Sequence, residues 1–276
     1  TSHRYAWHEL AKQKNARVAT VPRQPDQTWA QALVAAIHGS DAPVSVVAGT
    51  LVHWFEGTSV DIEAVSDAAH AVGAALVMDG TQWVGAVPFD VSRARPDFLS
   101  FATYKFLLGP YRLAFLYASK AWHEKGRPIE FHSWNRAGGE RSDFYLQTML
   151  DYLPGARRFD MGERSDFVVL PIAIKSLELL QSWGGAAVYE RLTHLNRLIW
   201  QQAEQRGFTG PIESLRAAHI SVVELGDRFR VDLARRLKEN KTFVTVRGTK
   251  MRITPHVYNE DKDIVRLFDL IETLTS

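Results

Sequence analysis

Apolar and polar positions follow one another along this chain in the order typical of repeated strand and helix units. Short apolar runs predict buried strands, and apolar residues at every third or fourth position predict helices. In the first half of the chain we predict strands at 17–21, 44–49, 74–78 and 98–102, and helices at 5–14, 28–39 and 61–72. Thr28 and Asp61 stand where they favour the amino termini of two helices, and Gly39 and Gly73 end them. This alternation predicts an α/β fold with a mainly parallel sheet and flanking helices.

The second half of the chain has a different pattern. Residues 121–162 mix tryptophan, arginine and glycine with little periodicity, which indicates irregular structure near a site or an interface. Beyond them we predict helices at 171–183, 187–206, 228–239 and 261–274, and strands at 219–224, 243–247 and 251–254, the last two joined by a turn at Gly248. The chain therefore divides, in this interpretation, into a large domain of residues 1–165 and a small C-terminal α+β domain of residues 166–276.

The stretch 76–117 carries the most distinctive chemistry. It predicts three short buried strands with polar side chains at their ends. Asp79 and Gln82 follow one apolar run, and Lys105 follows another and is itself flanked by apolar residues. Open α/β sheets bind ligands at the carboxyl ends of their strands. Burial lowers the pKa of an amine, which allows a lysine to act as a nucleophile and form a Schiff base.

An acid, an amide and a buried lysine are side chains that together could bind the cofactor pyridoxal phosphate (PLP). Lys105 would form the Schiff base, Asp79 would keep the pyridine nitrogen protonated, and Gln82 would bind the phenolic oxygen. From these residues alone structural roles stay open, because Asp-Gly after a strand is common turn chemistry. A lysine can also extend past apolar neighbours to reach solvent.

Composition narrows the possible functions. The 33 basic and 31 acidic residues leave a net charge of +2 and form no basic patch, which argues against nucleic-acid binding. No run approaches the roughly 20 apolar residues of a membrane span, and the first residues do not form a signal peptide. We therefore expect a cytoplasmic protein that binds neither nucleic acid nor membrane. The chain has no cysteine, which excludes disulfides and a protein thiol nucleophile, and we predict no metal site.

Several separated motifs resemble the class V aminotransferase family of fold-type I PLP enzymes. They are DGTQ at 79–82, PFDV at 88–91, PDFLSFATYK at 96–105, GPYRLAFLY at 109–117, ARRFDMGE at 156–163 and MRITPHVYNEDKDI at 251–264. The resemblance covers essentially the whole chain. It implies a fold-type I PLP-transferase fold, PLP as cofactor, an amino-acid substrate and a homodimer.

The resemblance also implies roles for individual residues. Lys105 binds PLP covalently, Asp79 contacts the pyridine nitrogen and Gln82 the ring oxygen. Tyr104 corresponds to a tyrosine that some members, kynureninases among them, use on the cofactor phosphate. Arg252 corresponds to the arginine that binds the substrate α-carboxylate, a role that suits a bidentate guanidinium.

Several residues depart from the family pattern, and they change which cofactor contacts and which reaction we predict. Leu51 stands where many relatives have a histidine that stacks on the ring, and His53, two residues later, is our candidate cofactor contact. Arg112 and Ala114 replace glycines that are common after the Gly-Pro turn. Desulfurases need a cysteine to accept sulfur, so we expect another reaction, on the kynureninase, isopenicillin N epimerase-like and ergothioneine-pathway lyase side of the family.

Family members have a further section ahead of the segment SHRYAWHELA, with a glycine-containing turn that cradles the cofactor phosphate. We therefore expect this chain to be part of a longer protein. The alternative is a non-catalytic remnant of the fold that acts as a binding or dimerisation module.

Several other polar residues have an expected role, and some of them have two possible roles. Trp134 and Arg136 are expected to contact substrate from the irregular segment. Three arginines are expected either to reach the phosphate of a neighbouring subunit or to form surface ion pairs: Arg157, Arg158 and Arg164. Arg247 either lines the site or pairs with an acid, and His219 and His256 are expected to be structural.

Overall fold

The computed structural model describes residues 2–139 and 150–276, and these form two sheets with flanking helices and a two-stranded ribbon. The helices are α1 (Ser2–Lys14), α2 (Trp29–His38), α3 (Ile62–Ala71), α4 (Val91–Ala94), α5 (Val169–Trp183), α6 (Gly185–Gln205), α7 (Leu233–Glu239) and α8 (Asp261–Thr275). The strands are β1 (Val46–Thr50), β2 (Val52–His53), β3 (Thr58–Ser59), β4 (Ala75–Asp79), β5 (Phe98–Ala102), β6 (Ala114–Ala118), β7 (Ser221–Glu224), β8 (Thr245–Arg247) and β9 (Lys250–Ile253). Ten residues of the segment predicted to be irregular, 140–149, lie outside the described residues.

The larger sheet has the order β1-β4-β5-β6. Strands β1, β4 and β5 run parallel, and β6 pairs antiparallel with β5. Alternate residues of β4, Leu76 and Met78, are buried in one apolar core with residues of α2 and α3. The predicted α/β fold with a mainly parallel sheet is therefore confirmed.

The helix ends follow the predicted signals. Thr28 caps α2 through a capping box, because its hydroxyl accepts from the Gln31 amide and the Gln31 side chain accepts from the Thr28 amide. The Asp61 carboxylate accepts from the Ala64 amide at the start of α3, at 3.3 Å. Gly73 has a φ of 76° just beyond α3, a conformation that a glycine adopts without steric cost.

The smaller sheet is antiparallel, with the order β7-β9-β8. Residues of α6, α7 and α8 share an apolar core with this sheet, and Met251 of β9 is fully buried there. The predicted turn at Gly248 joins β8 and β9 and has a φ of 58°. A third apolar cluster, which includes Val52, Phe106, Leu192 and Ile220, connects the two regions. The division into domains at residues 165 and 166 stays a prediction.

Three local predictions were wrong. Residues 17–21 form no strand and pair with no strand of the described residues. The third strand of the 76–117 stretch, β6, is not buried, because it lies at an edge of the sheet and leaves Phe115 and Leu116 exposed. The helix predicted from residue 228 begins at Leu233, after a short 3-10 turn over Gly226–Arg228.

None of the helices in residues 2–139 and 150–276 is both long enough and apolar enough to cross a membrane.

Candidate active site

The carboxyl ends of β1, β4 and β5 meet at one edge of the larger sheet, where Asp79 lies between Thr50 and Ser100 in the strand register. The Asp79 carboxylate accepts a hydrogen bond from the Thr81 amide, at 2.8 Å. The Thr81 hydroxyl in turn accepts from the Ala102 amide, at 3.1 Å. These bonds tie the loop after β4 to the end of β5 and hold Asp79 at the sheet edge.

Lys105 lies in a tight turn that begins as soon as β5 ends. The Gly109 amide donates to the Thr103 carbonyl and the Leu108 amide to the Lys105 carbonyl, both at 2.8 Å. Leu108 takes a φ of 55°, and its carbonyl accepts from the Ser176 hydroxyl of α5 at 2.9 Å. The backbone around Lys105 is thus closed on itself and anchored to a helix.

The loop after Asp79 and the lysine turn are in direct contact at Gly85. Gly85 has a φ of 95°, and a Cβ atom at this position would lie 2.6 Å from the Phe106 carbonyl oxygen. A glycine is therefore required for the two loops to approach this closely.

The environment of Lys105 alters its acidity. Burial lowers the pKa of Lys105, the positive charge of Arg252 lowers it further, the Asp79 carboxylate raises it in part, and Arg247 lowers it again. The Lys105 Nζ lies 5.8 Å from the centre of the Tyr104 ring, which stacks on Tyr111 with 4.3 Å between ring centres. The structure thus brings Lys105, Asp79, Tyr104 and Arg252 into one region.

Arg252 lies on β9, opposite Thr245 of β8 and Val222 of β7. Its Nε is buried and has no hydrogen-bond partner among the described residues. Burial, followed by the positive charge of Arg247, lowers the pKa of Arg252. Trp54 lies beside both guanidinium groups, with its ring centre 4.4 Å from Arg247 and 6.0 Å from Arg252.

Gln82 is held through its backbone. Its carbonyl accepts a hydrogen bond from Nε2 of His219, at 2.5 Å. His219 is fully buried between the rings of Trp83 and Phe106, and burial lowers its pKa to about 4, so the imidazole is neutral. His219 therefore supports the loop after Asp79.

Two residues near the site were missed by the sequence interpretation. Burial lowers the pKa of His3 on α1, and the charge of the Asp79 carboxylate raises it in part. Trp54 directly follows His53 and lies beside the two arginines of the smaller sheet. The spacing of apolar residues could identify neither, because each reaches the site through packing between distant segments.

Several predicted contacts lie elsewhere in the described residues. His53 stacks on Trp29, with ring centres 4.8 Å apart, and lies 3.9 Å from Glu56, which also pairs with Arg23. Trp134 belongs to a short 3-10 helix, Ser133–Asn135, where its side chain is 46% exposed. Neither makes an aromatic or ionic contact with Lys105, Asp79 or Arg252 among these residues.

The other arginines of the irregular segment make local contacts. Arg136 lies over the Tyr152 ring, 3.6 Å from its centre, and donates to the Leu150 carbonyl. Arg158 is buried and donates to the Glu124 and Gly126 carbonyls, and Arg164 pairs with Asp160. The described contacts of these three residues are therefore structural.

Comparison with known proteins gives a consistent result. The family described as Aminotransferase class-V matches residues 1–266. The chain is 27% identical over 228 residues to a protein of Bacillus subtilis named "Uncharacterized aminotransferase YcbU", covering 81% of this chain and 58% of that protein. It is 23% identical over 279 residues to a kynureninase of Cryptococcus neoformans, covering 94% of this chain and 61% of the kynureninase. The chain thus spans about three fifths of these relatives.

Solved structures share the fold. The cysteine desulfurase CsdA of Escherichia coli superposes with a TM-score of 0.80 at 17% identity, covering 98% of this chain and 68% of CsdA. A mutant of C-DES, with glycine covalently linked to its PLP cofactor, superposes with a TM-score of 0.82 at 17% identity, covering 96% of this chain and 70% of C-DES. The predicted fold-type I architecture is confirmed by these neighbours.

Proposed function

The chain belongs to the class V aminotransferase family, and on this premise we propose that it is the PLP-binding part of an enzyme that acts on an amino acid. The observation that carries this proposal is the position of Lys105, in a closed turn just after β5, beside the strand end that carries Asp79. A lysine nucleophile requires the neutral amine, and the burial of Lys105 favours that form.

The residues at the sheet edge fit PLP. Lys105 would hold the cofactor covalently, Asp79 would keep its ring nitrogen protonated, and Gln82, whose backbone is held by His219, would bind the ring oxygen. The exposed Tyr104 is available for the phosphate. When bound, the cofactor supplies an electron sink for the bonds around the substrate Cα.

The side chains of this chain then have separate tasks. The buried Nε of Arg252 and the rest of its guanidinium bind the substrate α-carboxylate and orient the Cα. Lys105 Nζ would move the α-proton as a general base. Burial, which lowers the pKa of Lys105, favours the neutral amine that this role requires.

The proposal also concerns the class of reaction that this enzyme catalyses. Transamination, lyase chemistry and epimerisation all begin with these steps, and we favour the kynureninase, epimerase and lyase side of the family. Probable cysteine desulfurases are also among the relatives, such as one from Vibrio cholerae that is 28% identical over 294 residues. The absence of cysteine from these 276 residues argues against a sulfur transfer that uses a thiol of this chain. A homodimer and a cytoplasmic location complete the proposal.

The test is covalent trapping of the cofactor. The purified protein is mixed with PLP, reduced with borohydride and digested, and the peptides are analysed by mass spectrometry. We expect the cofactor adduct on Lys105, and its loss in Lys105→Ala but not in the control Lys120→Ala, whose lysine lies in a surface turn. No adduct and no visible absorption at saturating PLP would instead support the alternative of a non-catalytic binding or dimerisation module.

A further inference from the structure

Three cations lie on one face of the smaller sheet. In the antiparallel register Arg247 pairs with Lys250 and Thr245 with Arg252, while the intervening pair is Val246 and Met251. Residues paired across strands lie on the same face, and successive residues alternate between faces. Since Met251 is buried in the core, the side chains of Arg247, Lys250 and Arg252 share the opposite face.

Two aromatic residues lie against this face. The Arg247 guanidinium lies 4.4 Å from the centre of the Trp54 ring, and Arg252 lies 6.0 Å from the same ring. Lys250 Nζ lies 5.0 Å from the centre of the Phe55 ring. The five side chains are among those that line one small cleft.

The three cations of this cleft form no ion pair among the described residues, although one carboxylate, that of Glu224, belongs to the same face. Glu224 is opposite Lys250 in the register of β7 and β9. Arg247 is itself exposed, whereas two partly buried arginines of this region have acidic partners: Arg206 has Asp269 and Glu272, and Arg216 has Glu204. Positive charges held together without a counterion destabilise one another, and a bound anion removes that cost.

Arg252 relates this cleft to the lysine site, because it lines the cleft and its positive charge, like that of Arg247, acts on Lys105. One guanidinium suffices for the α-carboxylate of an amino acid, which leaves Arg247 and Lys250 for a second anionic group. Trp54 lies beside both arginines and offers an apolar wall to the carbon chain that would join the two groups.

We propose that Arg247 and Lys250 form a second anion subsite, and that the substrate is an amino acid with a negatively charged side chain. This proposal rests on the proposed function for the role of Arg252. The subsite selects the side chain, whereas Arg252 binds the part that all amino acids share. Trp54 then sets the distance between the two anionic ends.

The test uses anions that need no cofactor. Isothermal titration calorimetry compares glutarate, which has two carboxylates, with butyrate, which has one. We expect glutarate to bind at least about tenfold more tightly, the size of one charge-assisted hydrogen-bonded contact. Arg247→Met and Lys250→Met should each weaken glutarate about tenfold and leave butyrate unchanged, while Arg252→Met weakens both.

The matched control is Arg228→Met, since Arg228 also lies over an aromatic ring, that of Phe208, at 4.5 Å. It should leave both affinities unchanged, and thermal melting checks that every variant is folded. Equal affinities for the two anions, or no binding of either, would overturn the subsite. The proposed function is judged separately by the adduct on Lys105, so the two failures are distinguishable.

Discussion

Gly85 lies directly against the backbone carbonyl of Phe106, and this contact joins the loop after Asp79 to the turn that carries Lys105. The two loops come from the ends of neighbouring parallel strands. Their separation therefore depends on a position with no side chain.

Replacing Gly85 with alanine should destabilise the protein and displace Lys105. A left-handed alanine costs about 1–2 kcal/mol, and a Cβ atom 2.6 Å from a carbonyl oxygen forces a backbone shift that adds about 1–3 kcal/mol. Urea unfolding should show a loss of about 2–5 kcal/mol. The control is Gly207→Ala, at a φ of 72° with no atom within 4 Å of the new Cβ, which should cost about 1–2 kcal/mol. Equal losses in the two variants would show that the contact is unimportant.

His219 should make the protein sensitive to mild acid. Its pKa is lowered from 6.5 to about 4 in the folded state, so the unfolded chain binds the extra proton first. The contribution of neutral His219 to the free energy of unfolding is fully present above pH 6.5 and is lost as the pH falls towards 4. The total loss is about 3 kcal/mol, at 1.36 kcal/mol per pKa unit.

The variant His219→Gln should lack this part of the pH dependence, because glutamine does not titrate. Urea unfolding at pH 7 and at pH 4 measures the difference between variant and wild type. The exposed His38 offers the control His38→Gln, which should leave the pH dependence as in the wild type. If His219→Gln does the same, the histidine is not the acid-sensitive group.

Arg112 keeps a glycine-like conformation without a glycine. Its φ is 74°, its side chain is 81% exposed, and Asp166 lies 3.7 Å away in an exposed ion pair worth little. Arg112→Gly removes the strain of a left-handed residue, which is about 1–2 kcal/mol. Part of this gain in stability is offset, because glycine loses more conformational entropy on folding. We expect a net gain of about 0.5–1 kcal/mol in unfolding free energy. Arg112→Ala keeps the strained Cβ and should show no such gain; a gain in both would mean that the charge, rather than the backbone, is responsible.

The sequence predicted the position of those site residues that directly follow a recognisable apolar run. An apolar run followed by Asp-Gly ends a strand at Asp79, and a second run places Lys105 just beyond β5. Apolar residues alone could not distinguish the exposed edge strand β6 from a buried one, since burial depends on the neighbours that a strand acquires. His3, Trp54 and Gly85 had no local signal either, because their positions depend on contacts between elements far apart in the chain. The family resemblance, rather than any spacing, identified Arg252.

The acidity of Lys105 should follow the charges around it. Removing the positive charge in Arg252→Gln should raise the pKa of Lys105, because Arg252 lowers it after burial does, and Asp79→Asn should lower it, because that carboxylate favours the ammonium form. The rate of acetylation of Lys105 at a series of pH values, followed by peptide mass spectrometry, measures the midpoint. Arg228→Gln, which changes an arginine over Phe208, is the control and should leave the midpoint in place. Shifts of the same sign in Arg252→Gln and Asp79→Asn would mean that altered burial, rather than charge, sets the reactivity of the lysine.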